Sequence, residues 1–443
     1  MTRPQEALVE TGNESQKELA RTVLVESDAS VVSAVMDRRN GRIFYLSYLL
    51  IYLAAPAVYV GVVQAALCDK LGASATVANL PASAYLFGSA APFFLTWLIP
   101  LRLERSVVVY ANAITATLLA MVCGTLIFPF GNSVRIAVLV GQGLIHGCTA
   151  SISLVYQYQC LGRGTTSKGR AKALKLAYTF GPISAVAGSL AAQFILNRGI
   201  LFLAYPYDFA FLYFIAVPCM AGVALLSSRY ELIPVKEEAH QPFVRYMIDS
   251  VRSYGQVRTL VLLWLAFLLW YVSLDAMSNL SLYTKEAVGR DPKELSGLIM
   301  ALRFGFKSVA GFALGVITLR WGIRAPLVTT IVLLAAAAFW SWVAPGYLYL
   351  FAFGLMGAGE LGGGYFPNYM VGVSPAAQGA RNLALLNLAT PVASLSPVLY
   401  GALTDAFGFS ASFALAGVAA LAALWFVLKL PGGSGLQSDA GYK

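Results

Sequence analysis

Residues 169–188 read GRAKALKLAYTFGPISAVAG, and residues 379–397 read GARNLALLNLATPVASLSP. Each stretch passes from a basic loop into an apolar half-helix and meets a proline near mid-membrane, Pro182 in one and Pro391 in the other. Two short loops upstream correspond in the same way, LIPLRLERS at 98–106 and GVITLRWGIRAP at 315–326. The second half of the chain therefore echoes the first. Paired, proline-interrupted helices in equivalent places are a feature of alternating-access transporters built from repeats.

Working outward, the apolar spans fall at about 44–67, 77–99, 106–127, 136–158, 171–195 and 209–227, and again at about 258–280, 295–318, 325–344, 347–370, 381–403 and 410–428. Many approach the ~20 residues needed to cross ~30 Å of hydrocarbon as helix. The chain of 443 residues is 58% hydrophobic and only 12% charged, against roughly 25% charged in a soluble domain. A β-barrel would alternate apolar and polar residues with period two, and these runs do not. The reading is an all-α polytopic membrane protein with twelve transmembrane helices in two six-helix bundles. Its parts are a polar tail at 1–42, a bundle at 43–227, a linker at 228–257, a second bundle at 258–430 and a short tail at 431–443.

Charge placement orients the spans. Arg38, Arg39 and Arg42 immediately precede the first one, which places the N-terminus in the cytoplasm by the positive-inside rule. On that topology 23 of the 31 Lys and Arg residues fall on cytoplasmic segments and six on outer loops. Both termini are then cytoplasmic, in a plasma (inner) membrane. The +10 formal charge is explained by topology and needs no nucleic acid. No short apolar run with a small-residue cleavage site precedes span 1, so no removable signal is expected.

Some chemistries are disfavoured. Two histidines, His146 and His240, and five cysteines without CxxC spacing give little from which to build a metal site. No GxxxxGK[ST] sequence supports ATP-driven pumping. An embedded enzyme lacks a nucleophile–base set, so no cofactor and no enzymatic activity are expected.

Four features carry a family resemblance that covers essentially everything after residue 42. The loop Gly315-V-I-T-L-Arg320-W-Gly322-I-Arg324 is similar to the glycine–acid–arginine–glycine–arginine loop of the major facilitator superfamily, with Leu319 where the acid is expected. Its first-half equivalent, Leu101-Arg102-Leu103-Glu104-Arg105, has lost the glycines. The end of span 11, Pro397-V-L-Tyr400-Gly401-A-L-T-Asp405-A-F-Gly408, resembles the family's proline–glycine–aspartate–glycine ending, and the central loop fits the linker between bundles. In span 5, Ala177-xxx-Gly181-Pro182-xx-Ala185 is similar to the glycine–proline motif of proton-coupled exporters, with alanines replacing the flanking glycines. Tight packing between helices would use the same small residues. The resemblance implies that helices 1, 4, 7 and 10 line a cavity, that 2, 5, 8 and 11 join the halves, and that 3, 6, 9 and 12 face lipid. It also implies gating roles for Arg320, Gly322, Arg324, Gly181 and Pro182.

An ionisable residue inside a span costs about 2.5–3.5 kcal/mol at mid-membrane on insertion scales, so it normally faces a cavity or a partner. Five candidates arise: His146 in span 4, Asp275 in span 7, Arg303 and Lys307 in span 8, and Glu360 in span 10. Spans 3, 6, 9 and 12 carry none, in agreement with their lipid-facing assignment. Arg303 and Lys307 are spaced i, i+4, so they share one helix face and suit a carboxylate or phosphate. Alternatively Glu360, with Asp275, neutralises them in a structural or gating ion pair. Glu360 lies in MGAGELGGGYFPNY at 356–369, where glycines and Pro367 weaken the helix. Alone, its carboxyl group would take up a proton readily; paired with Lys307, it would stay ionised. Asp275 and His146 are the further proton-coupling candidates. Tyr52, Gln142, Trp270, Tyr271 and Tyr365 complete a candidate substrate site, with packing or an interfacial belt the simpler role for the aromatics. Tyr48, Tyr59, Tyr369 and Gln64 stand beside them.

The sequence reading is thus a secondary active transporter, expected as a monomer, that moves a small organic solute, anionic if Arg303 and Lys307 contact it directly, with a proton or another coupling ion. A drug or metabolite exporter of the proton-antiporter type and a non-transporting membrane sensor on the same fold are the alternatives.

Overall fold

The computed structural model describes residues 32–58, 62–73, 75–196, 203–234, 242–289, 295–393 and 395–432. Tyr59, His240, Arg198, Arg290 and Lys293 lie outside them. The described residues form helices joined by short turns, with no strand among them. Helix falls on each expected span. Eight helices are long and apolar enough to cross a membrane by length and composition: Leu101–Ile127, Asn132–Gly164, Ser167–Leu196, Tyr207–Ser227, Arg258–Asp275, Leu298–Trp321, Ala325–Val343 and Phe409–Leu428.

Spans 1, 2, 10 and 11 are built instead from shorter pieces. Span 10 stops at Gly359 and resumes at Gly362, where the glycine run makes continuous helix least favourable. Span 11 is divided into Gly379–Asn387, Ala389–Ala393 and Ser396–Phe407. Pro182 and Pro367 are accommodated inside helices. Membrane helices tolerate such breaks where neighbours re-satisfy the backbone.

Two boundaries differ from expectation. The first helix, Ala34–Leu53, begins well before residue 43, because Ser33 caps it by accepting from the Met36 amide at 3.1 Å. Arg38, Arg39 and Arg42 consequently stand on helix and not in a tail. The linker is also not a loop throughout, since Phe243–Gln256 is helical. Its Val244, Ile248 and Val251 share one exposed face, a helical period that is easily missed beneath its polar average.

The repeat seen in the sequence is a repeat of packing. In the first half span 1 packs against 5 and 6, 2 against 4, and 3 against 4 and 6; in the second half 7 packs against 11 and 12, 8 against 10, and 9 against 10 and 12. The correspondence is one for one. Gly322, within the loop motif after span 8, and Gly408, the last residue of the span 11 motif, both sit at helix C-termini with positive φ of 81° and 79°, a backbone region that suits residues lacking Cβ.

The halves meet along helices Ser167–Leu196 and Ser296–Trp321. There Ser308 Oγ donates to the Thr179 carbonyl at 2.7 Å, and the Lys175 ammonium lies 3.8 Å from the Phe312 ring centre. Toward the linker end, Gln159 Nε2 donates to the Ala376 carbonyl at 2.6 Å, and the Tyr178 ring meets Tyr365 at 5.8 Å. One buried apolar cluster runs continuously through both halves, while Leu67, Leu119, Tyr213 and their neighbours form a separate one inside the first half. Among the described residues, the bundles are closed against each other from mid-height to the linker end.

Candidate functional site

The break in span 10 places Glu360 between two short helices, as the C-cap of Phe351–Gly359. Its position is held from two sides. Trp270 Nε1 donates to the Gly359 carbonyl at 3.1 Å, satisfying one of the carbonyls that the break leaves without a helical partner. On the other side Gly357 lets the chain pass helix Ser296–Trp321 so closely that a Cβ there would overlap the Arg303 carbonyl oxygen. This approach delivers the carboxylate to both cations on that helix. Lys307 Nζ donates to Glu360 Oε2 at 2.7 Å, and Arg303 Nη2 donates to Oε1.

The cluster is largely withdrawn from water, with side-chain exposures of 12% for Lys307, 9% for Glu360 and 29% for Arg303. Two cations share one carboxylate, so the group carries a net positive charge in a medium that screens poorly. The i, i+4 spacing therefore does present both cations to one partner, and that partner is Glu360. Lys307 also lies 5.9 Å from the ring centre of Tyr52. Tyr52 in turn covers Gly181, where a Cβ would come within 2.6 Å of the tyrosine ring. Ala177, Gly181, Pro182 and Ala185 are all buried, so in this conformation the small residues of span 5 are occupied by packing.

The remaining candidates separate from this centre. Trp270 is 1% exposed and stacks on Phe267 at 5.6 Å, so it orients the Glu360 break and does not line an opening. Tyr271 meets Trp270 edge-on at 4.7 Å. Tyr365 is fully buried against Tyr178, whose hydroxyl lies 2.5 Å from that of Tyr158. His146, expected at the depth of Glu360, is enclosed within the first half, with Nδ1 3.3 Å from Thr115 Oγ1 and its ring 5.5 Å from that of Tyr85. Asp275 accepts a hydrogen bond from Ser396 Oγ in span 11 and has no ion pair among the described residues. Gln142 is 2% exposed, and neither amide atom is bonded to another described residue. Asn368, in Gly362–Val373, shares that condition; the sequence signal was a lone amide in GYFPNYM.

At the linker end the loop arginines divide. Arg324 Nη1 donates to the Leu430 carbonyl at 2.7 Å and the Leu428 carbonyl at 3.4 Å, joining span 9 to the last turn of Phe409–Leu428, where carbonyls lack helical partners. Arg320 is exposed and makes no hydrogen bond or ion pair with another described residue. Thermal unfolding of purified variants should separate them: Arg324→Ala is expected to destabilise by about 1.5–3 kcal/mol, and Arg320→Ala by less than about 0.5 kcal/mol. The first-half loop holds a stronger contact that sequence reasoning did not weigh. Glu104 is wholly buried and pairs with Arg163 of span 4, at 2.5 Å between Nη1 and Oε2. Arg163 also donates to the Ile233 carbonyl in the linker and to that of Leu101 at 3.3 Å.

No protein-family model matches the chain, and no curated protein does. Solved structures match most of it. E. coli FucP, a major facilitator superfamily transporter in its outward conformation, is 15% identical with a TM-score of 0.68, covering 87% of this chain and 97% of its own. The human organic anion transporter MFSD10 is 13% identical with a TM-score of 0.69, covering 88% and 99%. A bacterial homologue of the iron transporter ferroportin, in its outward-facing state, is 16% identical with a TM-score of 0.69, covering 88% and 99%. The duplicated helix pairing, the glycine-ended loops and these full-length likenesses agree, and the fold of this chain is that of the major facilitator superfamily.

Proposed function

We propose that the protein is a secondary active transporter that moves a small organic anion by alternating access, with Glu360 carrying the coupling proton. The observation that carries this reading is the buried Arg303–Glu360–Lys307 group, two cations on one carboxylate at the break of span 10. Burying three charges is expensive, and removing one partner from such a group is worse than replacing all of it by apolar residues. A site that retains it has a use for charge.

In the proposed cycle, a proton on Glu360 neutralises the carboxylate and frees both cations for a carboxylate or phosphate of the substrate. Arg303 then offers bidentate contact and Lys307 a point charge. Release of both restores the internal pair. The two states differ in their affinity for solute, which is the condition under which a ligand shifts a conformational equilibrium. The linker end, closed in this structure, is taken as the cytoplasmic side, with Arg320 and the Gly322 turn at the gate. Asp275, hydrogen-bonded to Ser396, is the next carrier should Glu360 fail.

The test is flux of a panel of organic acids into proteoliposomes under an imposed pH gradient. Lys307→Ala is expected to lower uptake of an anionic solute at least tenfold more than that of a neutral one, by loss of a charge-assisted contact. Equal loss for both classes would reject the anion site.

A further inference from the structure

A second concentration of positive charge lies at the linker end, on the outer surface of the first half. There a cleft of about 450 Å³ opens between the first turns of Ala34–Leu53 and the end of Tyr207–Ser227. Arg38, Arg39, Arg42 and Arg229 line it. Among the described residues one carboxylate answers these four guanidinium groups, as Arg39 pairs with Glu231. Arg38 Nε donates to the Ala34 carbonyl at 3.2 Å within its own helix. Arg42 and Arg229 make no ion pair or hydrogen bond with any described residue, although both are exposed.

The order of residues along both walls identifies the kind of ligand. On the first helix Leu46 lies one turn deeper into the bundle than Arg42. On the sixth, which runs the opposite way, Leu226 lies about one turn deeper than Arg229. Both walls thus present guanidinium outward and leucine inward, separated by about 5 Å at the helical rise per residue. Buried Ile43 forms part of the floor. A free phosphate would use the arginines and leave the apolar wall idle. A molecule with an anionic head and an acyl chain would use both, and basic pockets between membrane helices suit phosphate-bearing head groups.

We infer that this cleft binds an anionic phospholipid of the adjoining leaflet, its phosphate held by Arg42 and Arg229 and its acyl chain laid along Leu46 and Leu226. The site lies apart from the Glu360 centre and does not depend on what that centre transports.

Native mass spectrometry of the detergent-purified full chain, titrated with dioleoylphosphatidylglycerol or dioleoylphosphatidylcholine, tests the assignment. Wild type is expected to retain the anionic lipid more tightly. Arg42→Gln/Arg229→Gln should weaken that retention about thirtyfold, and each single variant about fivefold, so that the singles decide the matter should the double fail to fold. Arg42→Lys/Arg229→Lys should keep most of it. The control Arg245→Gln/Arg252→Gln removes the same charge from the exposed linker helix and should leave retention unchanged. Wild-type retention in the Gln variants, or equal loss in the control, would overturn the site. Displacement of the lipid by soluble glycerol 3-phosphate at comparable concentration would overturn the lipid in favour of a free organic phosphate.

Discussion

Glu360→Gln is expected to bind an anionic substrate more tightly than wild type, by about tenfold or more, and to bind it equally at every pH between 5 and 8. In wild type Arg303 and Lys307 are occupied by the Glu360 carboxylate, so an incoming anion must displace an internal one. Glutamine keeps the shape and removes the competitor. The sign of the pH effect follows from the same competition. An anion that takes the cations leaves the Glu360 carboxylate unpaired and favours its protonation, so binding takes up a proton and wild-type affinity rises as pH falls; the variant has no such group to protonate. Accumulation driven by a pH gradient should disappear, while exchange of labelled for unlabelled substrate persists. The substitution also leaves two buried cations without their partner, costing about 3 kcal/mol, so the variant should unfold at lower temperature and recover on adding the anion. Isothermal titration across that pH range, with counterflow in proteoliposomes, reads both effects. A wild-type pH slope in Glu360→Gln would remove Glu360 from the coupling role.

The second large effect belongs to Arg163. Substituting it by alanine is expected to destabilise the folded protein by about 3–5 kcal/mol, the range for removing one member of a buried pair. Glu104 is then left ionised or forced to take up a proton in a site that gives it no water. The carbonyls of Leu101 and Ile233 lose their donor as well, which unties the loop after span 2 and the first residues of the linker from span 4. Arg163→Met combined with Glu104→Leu should recover a good part of the loss, because an apolar pair of similar volume removes the stranded charge. It should not recover all of it, since the two carbonyl contacts remain broken. Thermal unfolding of the single and double variants checks this. If Arg163→Ala unfolds within a degree of wild type, the pair contributes nothing to stability.

Much of this protein could be read from one-dimensional quantities. Span length, low charge density and the asymmetric placement of Lys and Arg depend only on composition along the chain, because the cost of placing a charge in hydrocarbon acts on each residue separately. The same cost made His146, Asp275, Arg303, Lys307 and Glu360 stand out. The repeat was legible because the 169–188 and 379–397 stretches keep their basic start and central proline, and it returned as matched helix pairing in the two halves. Gly322 was legible as a turn, since a positive φ selects glycine locally, whereas the matching conformation of Gly408 came from the structure.

The tertiary structure alone decided the partners. Depth along a helix follows from counting residues, but azimuth turns by about 100° per residue, so an error of one or two positions moves a side chain to another neighbour. His146 and Glu360 share a depth and still face different surroundings, Thr115 and Tyr85 for one and two cations for the other. Trp270, read as a cavity wall, turns to the carbonyl exposed by the span 10 break. Glu104 looked like a loop residue until span 4 brought Arg163 to it from 59 positions away in sequence. Sequence thus determined which residues must be buried or excluded from lipid, because that is a property of each residue; which charge meets which depends on helix rotation and packing, which only the assembled bundle fixes.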